Sequence, residues 1–165
     1  MRKVVFLLMI IIFSLPNYLW ATDPFIGTWE LNVSKSEFTP DLLKAFGIAR
    51  PKQETIVIRE LNDEELEIIV KGSYIDGALN SKKYTVPKRR GMEKYQEGGP
   101  PKGNHWVQIK INEKEIYRTL LENGKQSSTL QHIVITQDGN AFYITIRGLD
   151  ILGNPFEGLY FFERR

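Results

Sequence analysis

The residue types that carry out chemistry are present in this sequence, but few stand in a productive spacing. His105 and His132 have no second His, Cys or paired carboxylate at one- or three-residue offsets, so neither begins a metal-ligand pattern. Ser128 and His132 share a strand face, yet four residues of extended chain separate them by about 13 Å, too far for a nucleophile and its base. The segment Gly98-Gly99-Pro100-Pro101-Lys102-Gly103 is glycine-rich but lacks a following Lys-Ser/Thr at a helix start, so it reads as a mobile loop and not as a phosphate cradle. There is no cysteine, which excludes thiol catalysis and disulfides. Lys82, Lys83, Lys88, Arg89 and Arg90 form a basic cluster with no acid among them. It reads as a solvated strand end and loop, or else as a contact for an anionic partner or membrane headgroup. No catalytic residue, cofactor or metal is assigned.

Side-chain parity says more. Along 115–122, Ile116, Arg118 and Leu120 share one face, and Tyr117, Thr119 and Leu121 the other. Neighbouring runs have clearer apolar faces: Val107, Ile109 and Ile111; Phe142, Ile144 and Ile146; Phe156, Tyr160 and Phe162; Leu66, Ile68 and Val70. Hairpin pairing turns the Ile116 face inward and carries Arg118 into an apolar interior. A buried guanidinium is costly without a partner, so it requires an acid, carbonyls, water or an anionic ligand. The opposite parity, or a position at the rim, would let it reach solvent. With Met in its place, the unliganded fold is expected to lose little.

The elements that must position these residues are strands. Short runs rich in Ile, Val, Tyr, Phe and Thr predict strands near 25–33, 54–60, 66–74, 81–87, 105–111, 115–122, 128–136, 141–148 and 156–163. Asn62-Asp63, Asp76-Gly77, Asn112-Glu113, Asn123-Gly124 and Asp138-Gly139 are short turns, and connections so short force antiparallel neighbours. Residues 40–47 read as one short helix after the first strand, and 88–104 as the one long loop. A weak repeat relates Ile56-Val57-Ile58 to Ile133-Val134-Ile135 and, at a constant offset of 76, Gly72 to Gly148 and Tyr84 to Tyr160. It describes two similar three-stranded meanders, or hairpins that converged. The fold class is therefore all-β, an antiparallel up-and-down β-barrel of about 8–10 strands. Closure removes the two bare edges an open sheet would leave, and the nearly serial hairpins favour a barrel over a Greek-key sandwich.

Residues 1–21 are read as a signal peptide. Arg2 and Lys3 precede an apolar run from Val4 to Leu15, Pro16 and Asn17 break it, and Ala21 stands at the cut. The run is short of the roughly 20 residues a membrane-spanning helix needs. Residues 22–165 are then a single exported domain, periplasmic or extracellular, with no membrane span. The chain's 22 basic and 20 acidic residues fall to 20 of each without Arg2 and Lys3, so nothing marks a nucleic-acid binder.

The stretch Phe25-Ile26-Gly27-Thr28-Trp29 contains the Gly-x-Trp of lipocalins and fatty-acid-binding proteins, and Phe38 to Gly47 resembles the helical lid of the latter. Most of 22–165 is similar to small exported bacterial proteins of lipocalin-like, calycin type. The resemblance implies that Trp29 plugs one end of the barrel. It departs from the fatty-acid-binding pattern where an Arg-x-Tyr pair would hold a ligand carboxylate, because Tyr160-Phe161-Phe162 stands there. The expected function is non-enzymatic binding or transport of a small, mainly apolar ligand, with Arg118, Tyr84, Tyr160 and Phe142 as ligand-facing residues. The alternatives are a module that binds or inhibits a protein partner, of unknown identity, through the 88–104 loop, and, ranked last, a barrel enzyme.

Overall fold

The computed structural model describes residues 23–165, so the leader reading of 1–21 lies outside the described residues. Among the described residues, eleven strands form one antiparallel sheet: β1 (Gly27–Leu31), β2 (Pro51–Glu60), β3 (Glu65–Tyr74), β4 (Leu79–Pro87), β5 (Arg90–Met92), β6 (Lys94–Glu97), β7 (Asn104–Asn112), β8 (Glu115–Glu122), β9 (Lys125–Ile135), β10 (Ala141–Leu149) and β11 (Pro155–Arg164). Their spatial order is β5-β7-β8-β9-β10-β11-β1-β2-β3-β4-β6. The nine longer strands are those the alternation predicts, and β11 pairs back onto β1 through Trp29–Arg164 and Leu31–Phe162.

The two short strands lie inside the segment read as a loop, which corrects that reading. Arg90–Met92 pairs with β7 and Lys94–Glu97 pairs with β4, so one continuous stretch of chain joins the two remaining edges, with Glu93 at the crossover. The basic cluster also disperses. Lys83 lies 3.1 Å from Glu67 on the outer wall, Lys88 pairs with Glu60, and Lys82 turns inward.

The one helix among the described residues, α1 (Pro40–Phe46), follows β1 as predicted. Thr39 caps it by accepting from the Leu42 N–H at 3.2 Å, Pro40 opens it, and Gly47 ends it in the left-handed region at φ 61°. Leu42, fully buried, pins α1 against Ile146 and Phe156. Alternating strand directions put α1 and the β3–β4, β8–β9 and β10–β11 turns at one end of the barrel. The 98–103 loop lies there too, its Gly103 carbonyl accepting from the Asn123 N–H at 2.9 Å, while the chain entry at Phe25 and the β2–β3, β4–β5, β7–β8 and β9–β10 turns lie at the other.

The lower end is tightly packed. Trp29 has no exposed surface, donates from Nε1 to the Phe25 carbonyl at 2.9 Å, and meets Phe142 edge-on at 4.8 Å. Phe142 stacks on Phe162, and the Arg164 guanidinium lies 4.1 Å above the Trp29 ring while donating to the Pro24 and Ile26 carbonyls.

Candidate functional site: the barrel interior

Inward positions are selected by parity along each strand. On β2 they are Glu54, Ile56 and Ile58; on β3 Leu66, Ile68 and Val70; on β4 Asn80, Lys82, Tyr84 and Val86. β8 contributes Ile116, Arg118 and Leu120, and Ile133, Phe142, Ile144, Ile146 and Tyr160 complete the apolar wall. They surround a cavity of about 420 Å³ that opens between Phe46 and Ile48 on one side and Gly99 to Pro101 on the other. That volume lies within the usual range for small-molecule sites. Arg118, Tyr84, Tyr160 and Phe142 all line it, whereas Trp29 lies outside its wall.

β7 corrects one expectation. Alternation assigns Val107, Ile109 and Ile111 to its core face, but Ile109 and Ile111 are exposed, and Trp106 and Gln108 point inward instead. The register shifts between Lys110 and Asn112 at the β7–β8 turn, leaving Ile111 as an extra residue. Gln108 therefore stands opposite Arg118, and Trp106 opposite Leu120.

Arg118 enters the interior, but it is not free. One terminal nitrogen pairs with the Glu93 carboxylate, the other donates to Gln131 Oε1 at 2.6 Å, and the Trp106 ring covers the guanidinium at 5.0 Å. Its Nε is buried with no hydrogen-bond partner among the described residues. The other Glu93 oxygen accepts from the Tyr95 hydroxyl at 2.5 Å, and Tyr84 stacks on Tyr95 at 4.8 Å. Burial works against the Arg118 charge, but Glu93 and the two tyrosines outweigh it and hold the guanidinium firmly protonated. Burial, with the Glu93 charge added, pushes the Tyr95 hydroxyl well above its ordinary range. Tyr84 rises mainly through burial, with Arg118 pulling the other way. The expectation that Arg118 could be exchanged for Met at little cost is overturned, because removing it would strand a carboxylate whose side chain is 1% exposed.

A second polar group sits nearer the mouth. Glu54, Gly72 and Asn80 form one row across β2, β3 and β4. Because Gly72 carries no side chain, Glu54 reaches over it and accepts from the Asn80 amide at 2.7 Å. A Cβ on Gly72 would come 2.5 Å from the Gln53 carbonyl oxygen. Burial raises the Glu54 carboxyl pKa, while Asn80 and Lys82 oppose the rise. Burial lowers the Lys82 ammonium, and Glu54 counters it.

Sequence reasoning missed Glu93, Tyr95, Glu54, Lys82, Gln108 and Gln131. Glu54 and Lys82 were accessible, since they share parity with Ile56 and with Tyr84. Glu93, set among glycine and charged residues, gives no such signal. Ser128 and His132 are not brought together: the Ser128 hydroxyl bonds the Leu149 backbone, while His132 meets Glu115 at 2.8 Å and stacks on Tyr117. His105 is exposed. Among the described residues, no three His, Cys, Asp or Glu side chains cluster as metal ligands, and no helix is long and apolar enough to cross a membrane.

No family model matches the sequence, and no curated protein is similar to it. Solved structures are. The wild-type fluorescent protein UnaG superposes with a TM-score of 0.56 at 17% identity, covering 86% of this chain and 97% of that one. Rv2717c from M. tuberculosis gives 0.51 at 14% identity, over 89% and 96% of the two chains. The zebrafish ileal bile acid-binding protein complexed with cholic acid gives 0.50 at 14% identity, over 86% and 99%. At these identities the likeness is one of fold: the chain forms a lipocalin-like, calycin-type antiparallel barrel with one short helix after its first strand.

Proposed function

We propose that the protein binds, without chemical conversion, one small and mainly apolar molecule inside its barrel, and that it does so after export from the cytoplasm. The observation that carries the reading is the cavity of about 420 Å³, walled chiefly by Ile, Leu, Val, Phe and Tyr side chains and open at the α1 end. Apolar surface left uncovered inside a fold is stabilised when a ligand displaces its water. The zebrafish neighbour, which binds cholic acid in its crystal, supports the same use of such a barrel. The ligand-facing residues would be Arg118, Tyr84, Tyr160 and Phe142, with Glu93 and Gln131 holding Arg118 in place.

The partner-binding alternative has less support, because Arg90–Met92 and Lys94–Glu97 are spent on closing the wall. Native mass spectrometry of protein purified from its own host tests the binding reading. A co-purifying mass that leaves on organic extraction is expected, and an empty protein that takes up no neutral apolar dye would defeat it. Export predicts that the recovered protein begins near Thr22. A retained Met1 in the membrane fraction would contradict it.

A further inference from the structure

We infer that the cavity selects an uncharged ligand bearing an oxygen function, because the protein's own Glu93 already occupies the arginine that a ligand carboxylate would need. The inference rests on the binding reading above and narrows it to a chemical class.

Among the described residues, four charged side chains line the cavity: Glu54, Lys82, Glu93 and Arg118, two of each sign. Among the described residues, the deeper pair leaves only the Arg118 Nε without a partner. Arg118 spends its terminal nitrogens on Glu93 and Gln131, and Glu93 spends its second oxygen on Tyr95. A ligand carboxylate entering here must either displace Glu93, leaving that carboxylate with the Tyr95 hydroxyl but no cation at 1% exposure, or lie among charges that already balance. Either course leaves an anion stripped of water without compensation. Nearer the mouth the wall carries one charge of each sign, Lys82 and Glu54, the latter bonded to Asn80.

What the wall does leave unmet is hydrogen bonding. Among the described residues, the Lys82 ammonium and the Tyr84 and Tyr160 hydroxyls line the cavity and bond to no protein acceptor closely enough to satisfy them. These are donors, and a carbonyl, ester or hydroxyl oxygen on an otherwise apolar molecule can receive them without bringing a charge.

The experiment uses protein freed of bound lipid, loaded with the neutral dye Nile red at pH 8. The dye is displaced with 2-tridecanone, tridecane or dodecanoate, the last kept below its micelle-forming concentration. The ketone should displace at a concentration at least 10-fold lower than dodecanoate, and lower than the alkane. Glu93→Gln releases Arg118 and should improve dodecanoate at least 10-fold relative to the ketone. If Glu93→Gln fails to fold, the Glu93→Gln/Arg118→Met double variant, which removes the pair together, must retain the wild-type order. A wild type that prefers dodecanoate, a folded Glu93→Gln with an unchanged ratio, or a double variant that prefers the acid overturns the inference. Each of these leaves the binding reading standing, whereas wild-type protein that takes up no Nile red defeats both.

Discussion

Replacing Arg118 with Met leaves the buried Glu93 carboxylate with the Tyr95 hydroxyl as its remaining partner among the described residues. Met fills much of the same space, so the change is chiefly electrostatic. Stranding one member of a buried ion pair costs about 3–5 kcal/mol. Glu93→Gln strands the guanidinium instead and should cost a similar amount. The double variant Glu93→Gln/Arg118→Met removes both charges while Gln still accepts from Tyr95, so its loss should be about 1 kcal/mol or less. A domain of this size has only about 5–15 kcal/mol to lose, so either single change should be plain in urea unfolding at pH 7, followed by tryptophan fluorescence with the slopes compared. The reasoning fails if a single variant loses less than about 1 kcal/mol, or if the double variant loses the sum of the two.

Four further variants have expected outcomes. Trp29→Ala should cost about 3–5 kcal/mol, since it empties a fully buried site and leaves the Phe25 carbonyl without its donor; an unchanged melting temperature would contradict the packing. Gly72→Ala drives a methyl against the Gln53 backbone and should cost about 1–3 kcal/mol. Gly77→Ala has open space but a φ of 87°, so its cost of about 1–2 kcal/mol is conformational. A Gly72→Ala variant that loses less than about 0.5 kcal/mol would refute the contact argument. Finally, burial raises the Glu54 pKa above its unfolded value, so the folded state holds the proton more tightly and stability falls as pH climbs from about 4.5 through the raised value. Glu54→Gln should therefore gain stability relative to wild type at pH 8 and not at pH 4; an equal difference in melting temperature at both would show that Glu54 is not strained by burial.

The long strands and the helix were legible because each repeats a local rule. Alternation marks Phe142-Ile144-Ile146, and Pro40 with Gly47 brackets α1. Arg118 was legible as an inward residue for the same reason. Its partner was not. Glu93 sits where the chain exchanges one neighbouring strand for another, and that exchange is set by two distant edges, not by the residues beside it. The β7 face was misread because a single bulged residue, Ile111, reverses parity beyond it, and alternation alone cannot reveal an inserted residue.

The split pairing of residues 90–97 has a consequence for how copies of this chain treat one another. Each half of the segment contributes only a short ladder, Arg90 to Met92 on β7 and Lys94 to Glu97 on β4. Were the segment to lift, β4 and β7 would both present long rows of unpaired backbone, and β7 would add the outward side chains of Ile109 and Ile111. Such an edge is a template for intermolecular sheet growth. The stretch that completes the wall thus also covers two sheet edges that would otherwise be bare, and the Glu93–Arg118 ion pair fastens it from inside.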